Sequence, residues 1–131
     1  MRFMYIVTSP KPQGSPTPEL MEAMHKLADR EIKAGRMLDS GGLMPVATGA
    51  QVKITDGELS VVDGPFVETK ELIGGYAIFE LRDKEEAVAA AVEFMQLHKT
   101  HMPGWEGTCE VRSFAMPEHE MGCQVDVRAH A

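Results

Sequence analysis

The most chemically distinctive part of the sequence is a nine-residue segment, 63–71, that carries four ionisable side chains. It opens with Asp63, Gly64 and Pro65, which have turn chemistry: a carboxylate that can accept from local amides, a flexible residue and a fixed φ. Phe66 follows as an apolar anchor that could hold the loop against a core. Binding and catalytic residues concentrate on loops, but a capped turn with solvated charges accounts for the same pattern, so both interpretations stand. The ionisable residues are Asp63, Glu68, Lys70 and Glu71.

Three histidines are candidates for proton transfer, because an unperturbed imidazole titrates close to neutral pH. His25 falls at the margin of the apolar stripe of a predicted helix, about 20° beyond Ile32. An imidazole there could pack and still face a cleft, although an exposed helix histidine fits the position as well. His98 and His101 are three residues apart, so both could face one side if the second predicted helix continues that far. His101, directly before Met102 and Pro103, is expected where a ligand could contact it.

The sequence predicts neither a metal site nor an organic cofactor. Two histidines are a weak metal signal because zinc sites usually have three or four protein ligands, and nothing constrains Cys109 or His119 to complete a set. The sequence contains no phosphate-binding loop of the Walker type and no dinucleotide-binding fingerprint. It also lacks the Gly-x-Ser-x-Gly elbow of many hydrolases.

Composition and charge limit the class of partner. A net charge of −7, with thirteen basic residues spread along the chain, disfavours binding to nucleic acid or to an anionic membrane. No apolar run approaches the roughly 20 residues that a membrane-spanning helix needs, and the first residues are too short a run for a signal peptide. Cys109 and Cys123 are expected to be reduced thiols. We therefore expect a cytoplasmic location.

Hydrophobic periodicity predicts the elements that must position these candidates. Thr17 and Pro18 are typical of a helix start, Gly35 of a helix end, and Asp56-Gly57 of a two-residue hairpin turn. Asp83 with Glu86 indicates a capping box at the start of a second helix, whose buried stripe is predicted as Val88, Ala91, Val92 and Met95. The predicted strands are 2–8, 36–40, 51–55, 58–62, 76–81 and 108–114, and the predicted helices are 17–34 and 83–99. The first helix is predicted to bury Leu20, Met21, Met24, Leu27, Ala28 and Ile32.

In chain order these elements read β-α-β, an inserted hairpin, then β-α-β. That order predicts an α+β, ferredoxin-like domain with both helices on one face of an antiparallel sheet. The other face should carry too many large side chains to remain open to water, so we expect a homodimer formed by pairing two sheets. The side chains predicted for that face are Phe3, Tyr5, Tyr76, Ile78 and Phe114.

The segment Asp-Gly-Pro-Phe-Val-Glu-Thr-Lys-Glu at 63–71, followed by Gly74-Gly75-Tyr76, resembles the signature of the YCII-related family in its DGPF subgroup. Gly41-Gly42-Leu43 with Pro45 is similar to the family's loop after its second strand. His98, His101, Pro103 and the run 105–112 resemble its closing part. The resemblance covers 1–116 as one domain and leaves 117–131 as a C-terminal tail.

The resemblance implies a dimeric α+β barrel and leaves two functions open. One is a cofactor-independent enzyme with isomerase- or lyase-type acid–base chemistry on a small polar organic substrate. The other is a small-ligand-sensing or interaction module associated with extracytoplasmic-function sigma factors. For the enzyme, the resemblance implies Asp63 as the catalytic carboxylate, with His25 and His101 as candidate partners. The candidate ligand-binding residues are Phe66, Glu68, Lys70, Tyr76 and His98.

Overall fold

The computed structural model describes residues 1–64 and 72–115 of the chain. All the predicted helices and strands are present within this part, and β5 begins four residues earlier than predicted. The predicted tail lies outside the described residues. In chain order the elements are β1 (Arg2–Ser9), α1 (Pro18–Lys33), β2 (Met37–Gly42), a short 3₁₀ turn (Val46–Thr48), β3 (Ala50–Thr55), β4 (Glu58–Asp63), β5 (Leu72–Glu80), α2 (Lys84–His101) and β6 (Thr108–Ser113).

Four strands form an antiparallel sheet in the order β2-β5-β1-β6, and β3 with β4 forms a separate two-stranded sheet. This is the predicted α+β architecture, consistent with a ferredoxin-like fold. The register pairs Tyr5 with Ala77 on one side and with Val111 on the other. Since side chains alternate along a strand, these three residues share one face of the sheet.

Local chemistry fixes the ends of both helices and the hairpin turn. The Thr17 side chain accepts from Leu20 N at 3.1 Å, and Gly35 takes a φ of +76° just after α1 ends. The Asp83 carboxylate accepts from Glu86 N at 2.9 Å at the start of α2. Asp56 and Gly57 have φ values of +50° and +81°, as a type I′ turn between β3 and β4 requires.

The core lies between α2 and one face of the four-stranded sheet, and it corrects two sequence predictions. Phe3 and Tyr5 are only 2% and 4% exposed and pack in this core, so their predicted placement on the open face is wrong. Strand alternation puts Met4 and Ile6 on the outer face instead. Other members of the core cluster are Phe79, Leu81, Ala87 and Ala91.

The predicted buried stripe of α2 is also wrong at two positions. Val88 and Val92 are exposed, the predicted Ala91 is buried, and Ala87, which was not predicted, is buried as well. The physical reason is size, because alanine lets the helix lie close to the large rings of the sheet. In α1 the prediction holds at Leu20 and fails at Met21 and Ile32, which are exposed.

The β3–β4 hairpin presents an apolar face to solvent. Val52 pairs with Val61 and Ile54 with Leu59, and all four are between 67% and 74% exposed. A two-stranded hairpin on its own is marginally stable in water. Among the described residues, no helix is long and apolar enough to cross a membrane.

Candidate functional site

A cavity of about 630 Å³ lies between the two helices and the helix-facing side of the four-stranded sheet. Its size falls in the range of small-molecule sites. The sheet contributes Tyr5, Val7, Ala77 and Cys109, and the loop before β6 contributes Trp105. The helices contribute Met21, Met24, His25, Leu27, Ala28, Glu31, Glu93, Phe94 and His98.

Small residues in two neighbouring strands leave the space for this cavity. Gly42 pairs with Gly75 and Ser40 with Ala77, so this part of the sheet carries little side-chain volume. The core residues Phe3 and Leu81 lie outside the lining. A Cβ at Gly75 would lie 2.8 Å from the carbonyl oxygen of Gly41, so a larger residue there requires a backbone shift. The glycine pair therefore allows the two strands to approach closely, and it places no side chain in the cavity.

Two hydrogen-bonded seams tie together the chain segments around the cavity. Gln13 donates to the Glu106 carbonyl at 2.6 Å and accepts from Glu106 N at 2.8 Å, which joins the loop before α1 to the loop before β6. Thr17 Oγ1 donates to the His101 carbonyl at 2.7 Å, which joins the start of α1 to the end of α2. Gln13 itself lines the cavity, so the first seam forms part of its wall.

His98 is the best-defined polar group in the cavity wall. It is 7% exposed, its Nδ1 lies 3.1 Å from the Phe94 carbonyl, and its ring packs between the rings of Phe94 and Trp105 at 4.7 and 4.5 Å. A carbonyl can only accept, so Nδ1 must carry the proton of this bond. Burial lowers the pKa of His98 and so keeps the ring neutral near pH 7, although the hydrogen bond to Phe94 acts in the opposite direction. Nε2 therefore presents a lone pair and has no partner among the described residues.

Trp105 covers one side of this histidine because Gly107 makes room for it. A Cβ at Gly107 would overlap the indole ring and also approach the Thr8 carbonyl at 2.7 Å. Trp105 is the single tryptophan of the chain and lines the cavity. Its fluorescence therefore reports on the occupancy of this space.

Glu31 is a buried carboxylate at the edge of the cavity, and two arginines neutralise it. Arg36 Nε donates to it at 3.0 Å, Arg36 Nη2 makes a second bond, and Arg30 Nε donates at 3.2 Å. Arg36 is the main cause of the lowered pKa of Glu31, with Arg30 adding to it against the effect of burial. Arg30 also binds both carboxylate oxygens of Glu93, at 2.9 and 2.7 Å, so the network connects α1 with α2.

Two further ionisable groups of the interior, the Cys109 thiol and the Tyr5 hydroxyl, are protonated at neutral pH. Burial raises the pKa of the Cys109 thiol to about 11, so it is not a thiolate nucleophile. Burial is also the main cause of the raised pKa of Tyr5, whose hydroxyl donates to the Ala87 carbonyl at 2.6 Å. Among the described residues, no group of three or more histidine, cysteine or acidic side chains is placed to hold a metal ion.

The structure brings some of the predicted site residues together and separates others. His25 and His98 line the cavity, although His25 is exposed. Tyr76 also belongs to the lining, but it pairs with Ile6, so its side chain lies on the outer face of the sheet, where its hydroxyl donates to Asp39 at 3.0 Å. Asp63 is exposed at the end of β4, paired with Ala50, and does not belong to the described lining. His101 is half-buried and also lies outside that lining. Phe66, Glu68 and Lys70 fall outside the described residues.

Sequence reasoning missed three residues that matter in the wall, namely Tyr5, Glu31 and Trp105. Glu31 had a usable signal, because a carboxylate one residue before Ile32 falls on the helix face that should be buried and has arginines at 30 and 36. Trp105 is followed two positions later by Gly107, which is a signal of close packing only once the ring position is known.

Comparison with known proteins gives a family match and a similar sequence. The model of the YCII-related domain matches residues 1–94. An uncharacterised protein of Rhizobium meliloti (strain 1021) is similar to the chain, with 27% identity over 97 residues, which is 74% of each sequence. The matched part runs from β1 into α2, so it includes the sheet floor and the α1 wall of the cavity.

Proposed function

The chain belongs to the YCII-related family, and from that premise we propose that it is a small-molecule-binding domain whose ligand occupies the cavity between the helices and the sheet. The single observation that carries this proposal is the cavity, which is large enough for a small organic ligand and has a buried, neutral histidine in its wall. Two seams of hydrogen bonds support a fixed wall rather than an open surface.

A thermal-shift screen of metabolites tests the binding proposal. A ligand at ten times its Kd stabilises the folded state by about 1.4 kcal/mol, which raises the Tm of a domain of this size by roughly 5 °C. Each hit is repeated on His25→Ala and Asp63→Asn. The proposal expects a smaller shift in His25→Ala, which alters the cavity wall, and an unchanged shift in Asp63→Asn. A shift lost only in Asp63→Asn would contradict the cavity and favour a site at the hairpin.

A catalytic role is the second candidate, and one observation favours it. His25 on α1 and His98 on α2 line the same cavity, so two groups able to move a proton face one space. We propose that, in this case, neutral His98 abstracts a proton from a bound ligand, as in isomerase- or lyase-type chemistry without an organic cofactor. Asp63 as the catalytic carboxylate is supported by the family resemblance alone.

Proton exchange into a bound ligand tests the catalytic candidate. Once a ligand is identified, its C–H groups are followed by NMR in D₂O with wild-type protein and with His98→Gln. Deuterium entering one ligand position with the wild type but not with His98→Gln supports the catalytic role. Equal exchange with both proteins, or none with either, contradicts His98 as the base.

We also propose that the chain forms a homodimer through the outer face of its four-stranded sheet. Met4, Ile6 and Ile78 are half-buried on that face by register, with Tyr76 beside them. The exposed hairpin adds on the order of 250 Å² of apolar side-chain surface per chain. The hairpin alone does not reach the roughly 800 Å² per partner of a standard interface, so the proposal uses both surfaces in one contact with a second copy.

Sedimentation at micromolar concentration tests the homodimer. The wild type is expected to sediment as a dimer, and Ile78→Glu, which puts a charge on the outer face, as a monomer. Val92→Glu is the matched control, since Val92 is 60% exposed on α2 and away from the sheet. A monomeric wild type would contradict the proposal.

Membership of the DGPF subgroup and an association with extracytoplasmic-function sigma factors are proposals that rest on the resemblance of residues 63–76. The test is co-purification of the chain with a sigma factor of that class from the same organism. A stable complex that survives Asp63→Asn would contradict a role of the motif in this contact.

A further inference from the structure

We infer that the cavity selects a neutral, largely apolar organic molecule that offers a hydrogen-bond donor to His98. This inference rests on the proposed binding function and narrows it to a class of ligand. This ligand class differs from the small polar substrate expected from the sequence. The reason is that the charged groups and donor protons of the cavity wall are already paired within the protein.

Charge in the wall argues against an ionised ligand. The described lining contains no lysine or arginine, so a buried anion would meet no fixed cation. Its two carboxylates, Glu31 and Glu93, would repel an anion, and both are already bound by arginine. A cationic ligand would have to displace one of those guanidinium groups. Burying an ion without a partner is strongly unfavourable.

His25 is the one group of the lining that could offer an anion a positive charge. It is exposed, so water and salt would screen any charge that it carries. Cys109 and Tyr5 keep their protons at neutral pH, as described above. The interior therefore contributes no free charge of either sign to a ligand.

Two polar groups of the interior, His98 and Tyr5, have already used the protons that they could donate. His98 uses its Nδ1 proton on the Phe94 carbonyl, and Tyr5 uses its hydroxyl proton on the Ala87 carbonyl. What each has left is a lone pair, on Nε2 of His98 and on the oxygen of Tyr5. A ligand that only accepts hydrogen bonds would bury the Nε2 lone pair unsatisfied, which is unfavourable.

The rest of the lining favours an apolar body. Met21, Met24 and Leu27 of α1 face the space opposite the sheet, and Phe94 and Trp105 flank the histidine. Methionine adapts its shape to irregular ligands and makes favourable contacts with aromatic rings. An aromatic alcohol, with a ring and one hydroxyl, meets all three conditions, because it is uncharged, offers a hydrogen-bond donor and has an apolar body.

Three matched probes test the inference through the fluorescence of Trp105, the single tryptophan. Benzyl alcohol has the ring and the donor, benzyl methyl ether has the ring without the donor, and benzoate has the ring with a negative charge. We expect benzyl alcohol to bind about tenfold more tightly than the ether, and benzoate to bind at least about a hundredfold more weakly than the alcohol. The inference is overturned if the wild type binds either benzoate or the ether as tightly as it binds the alcohol, and this result requires no variant.

Two variants assign the preference to His98. His98→Phe keeps a ring between Phe94 and Trp105 but removes the acceptor, so the alcohol and the ether should bind equally. His101→Phe is the matched control on the same helix and outside the described lining, so it should keep the tenfold preference. If none of the three probes changes the fluorescence or the Tm of the wild type, and the metabolite screen is also empty, the binding function itself is contradicted.

Discussion

Replacing Glu31 with glutamine should destabilise the protein at neutral pH by about 2–3 kcal/mol. The Glu31 side chain is only 5% exposed and accepts hydrogen bonds from two guanidinium groups. A hydrogen bond to a charged group contributes about 1.5–3 kcal/mol, and glutamine keeps one acceptor oxygen but turns an amide donor toward an arginine. The loss stays below the 3–5 kcal/mol of a fully buried pair, because the Arg30 and Arg36 side chains are 52% and 42% exposed and water can solvate them.

Glu93→Gln is the matched control for this prediction. Glu93 binds the same Arg30 with both oxygens, but its side chain is 45% exposed. Exposed ion pairs contribute about 1 kcal/mol or less, so this variant should lose well under half as much stability as Glu31→Gln. Urea unfolding followed by circular dichroism measures both, with equal slopes required for the comparison.

The pH dependence of the stability difference between the wild type and Glu31→Gln provides a second check. Arg36 and then Arg30 lower the pKa of Glu31 below its ordinary value of 4.5. The carboxylate therefore stabilises the fold fully above about pH 4.5, and this stabilisation is lost as the pH falls through the lower folded-state pKa. The unfolding curves of wild type and Glu31→Gln should converge in acid. An unchanged midpoint for Glu31→Gln at pH 7, or a difference that grows toward acid, would refute the reasoning.

Three further predictions follow from the cavity wall. Gly75→Ala should destabilise the protein by about 1–3 kcal/mol, because its Cβ would meet the Gly41 carbonyl. Gly74→Ala is the control and should lose less stability, because its Cβ makes only an ordinary contact at 3.8 Å. Urea titrations measure both variants. Gly107→Ala should push the Trp105 ring away from His98, which a red shift of the fluorescence would reveal. Below about pH 6.5 the unfolded chain takes up a proton that buried His98 resists, so the wild type should lose stability toward pH 5 and His98→Phe should lose less.

Each of these predictions has a result that contradicts it. Equal midpoints for Gly74→Ala and Gly75→Ala would show that the strands adjust freely at the cavity floor. An unchanged emission maximum in Gly107→Ala would mean that the indole does not depend on this glycine for its place. Parallel loss of stability in acid for the wild type and His98→Phe would mean that His98 is not held neutral by the fold.

The elements were predictable from the sequence because their signals are local. Thr17, Asp83 and the Asp56-Gly57 turn act through hydrogen bonds or φ values within a few residues, so their sequence context is enough. Which face of each element is buried depends on distant partners. Val88 and Ala87 differ by one residue, and the ring sizes on the opposing sheet decide between them.

The site was predictable only in part, for the same reason. His25 and His98 were candidates by residue type, and the structure adds that both line one cavity. His98 is neutral because it is buried, the Phe94 carbonyl one turn away places its proton on Nδ1, and the Trp105 ring packs on it from across a loop, so residue type does not reveal this state. The motif at 63–71 drew attention to Asp63, but the cavity lies against the Gly42–Gly75 pair of β2 and β5.

Mapping the amide signals of the protein during a titration with benzyl alcohol tests the central claim most directly. A two-dimensional NMR spectrum reports each backbone amide, and Trp105 adds its indole N–H. Binding in the cavity predicts the largest shifts at Gly75, Ala77, Trp105 and Cys109, which line it from the sheet and the loop before β6. Shifts confined to the β3–β4 hairpin and Asp63, with the cavity signals unmoved, would contradict the account.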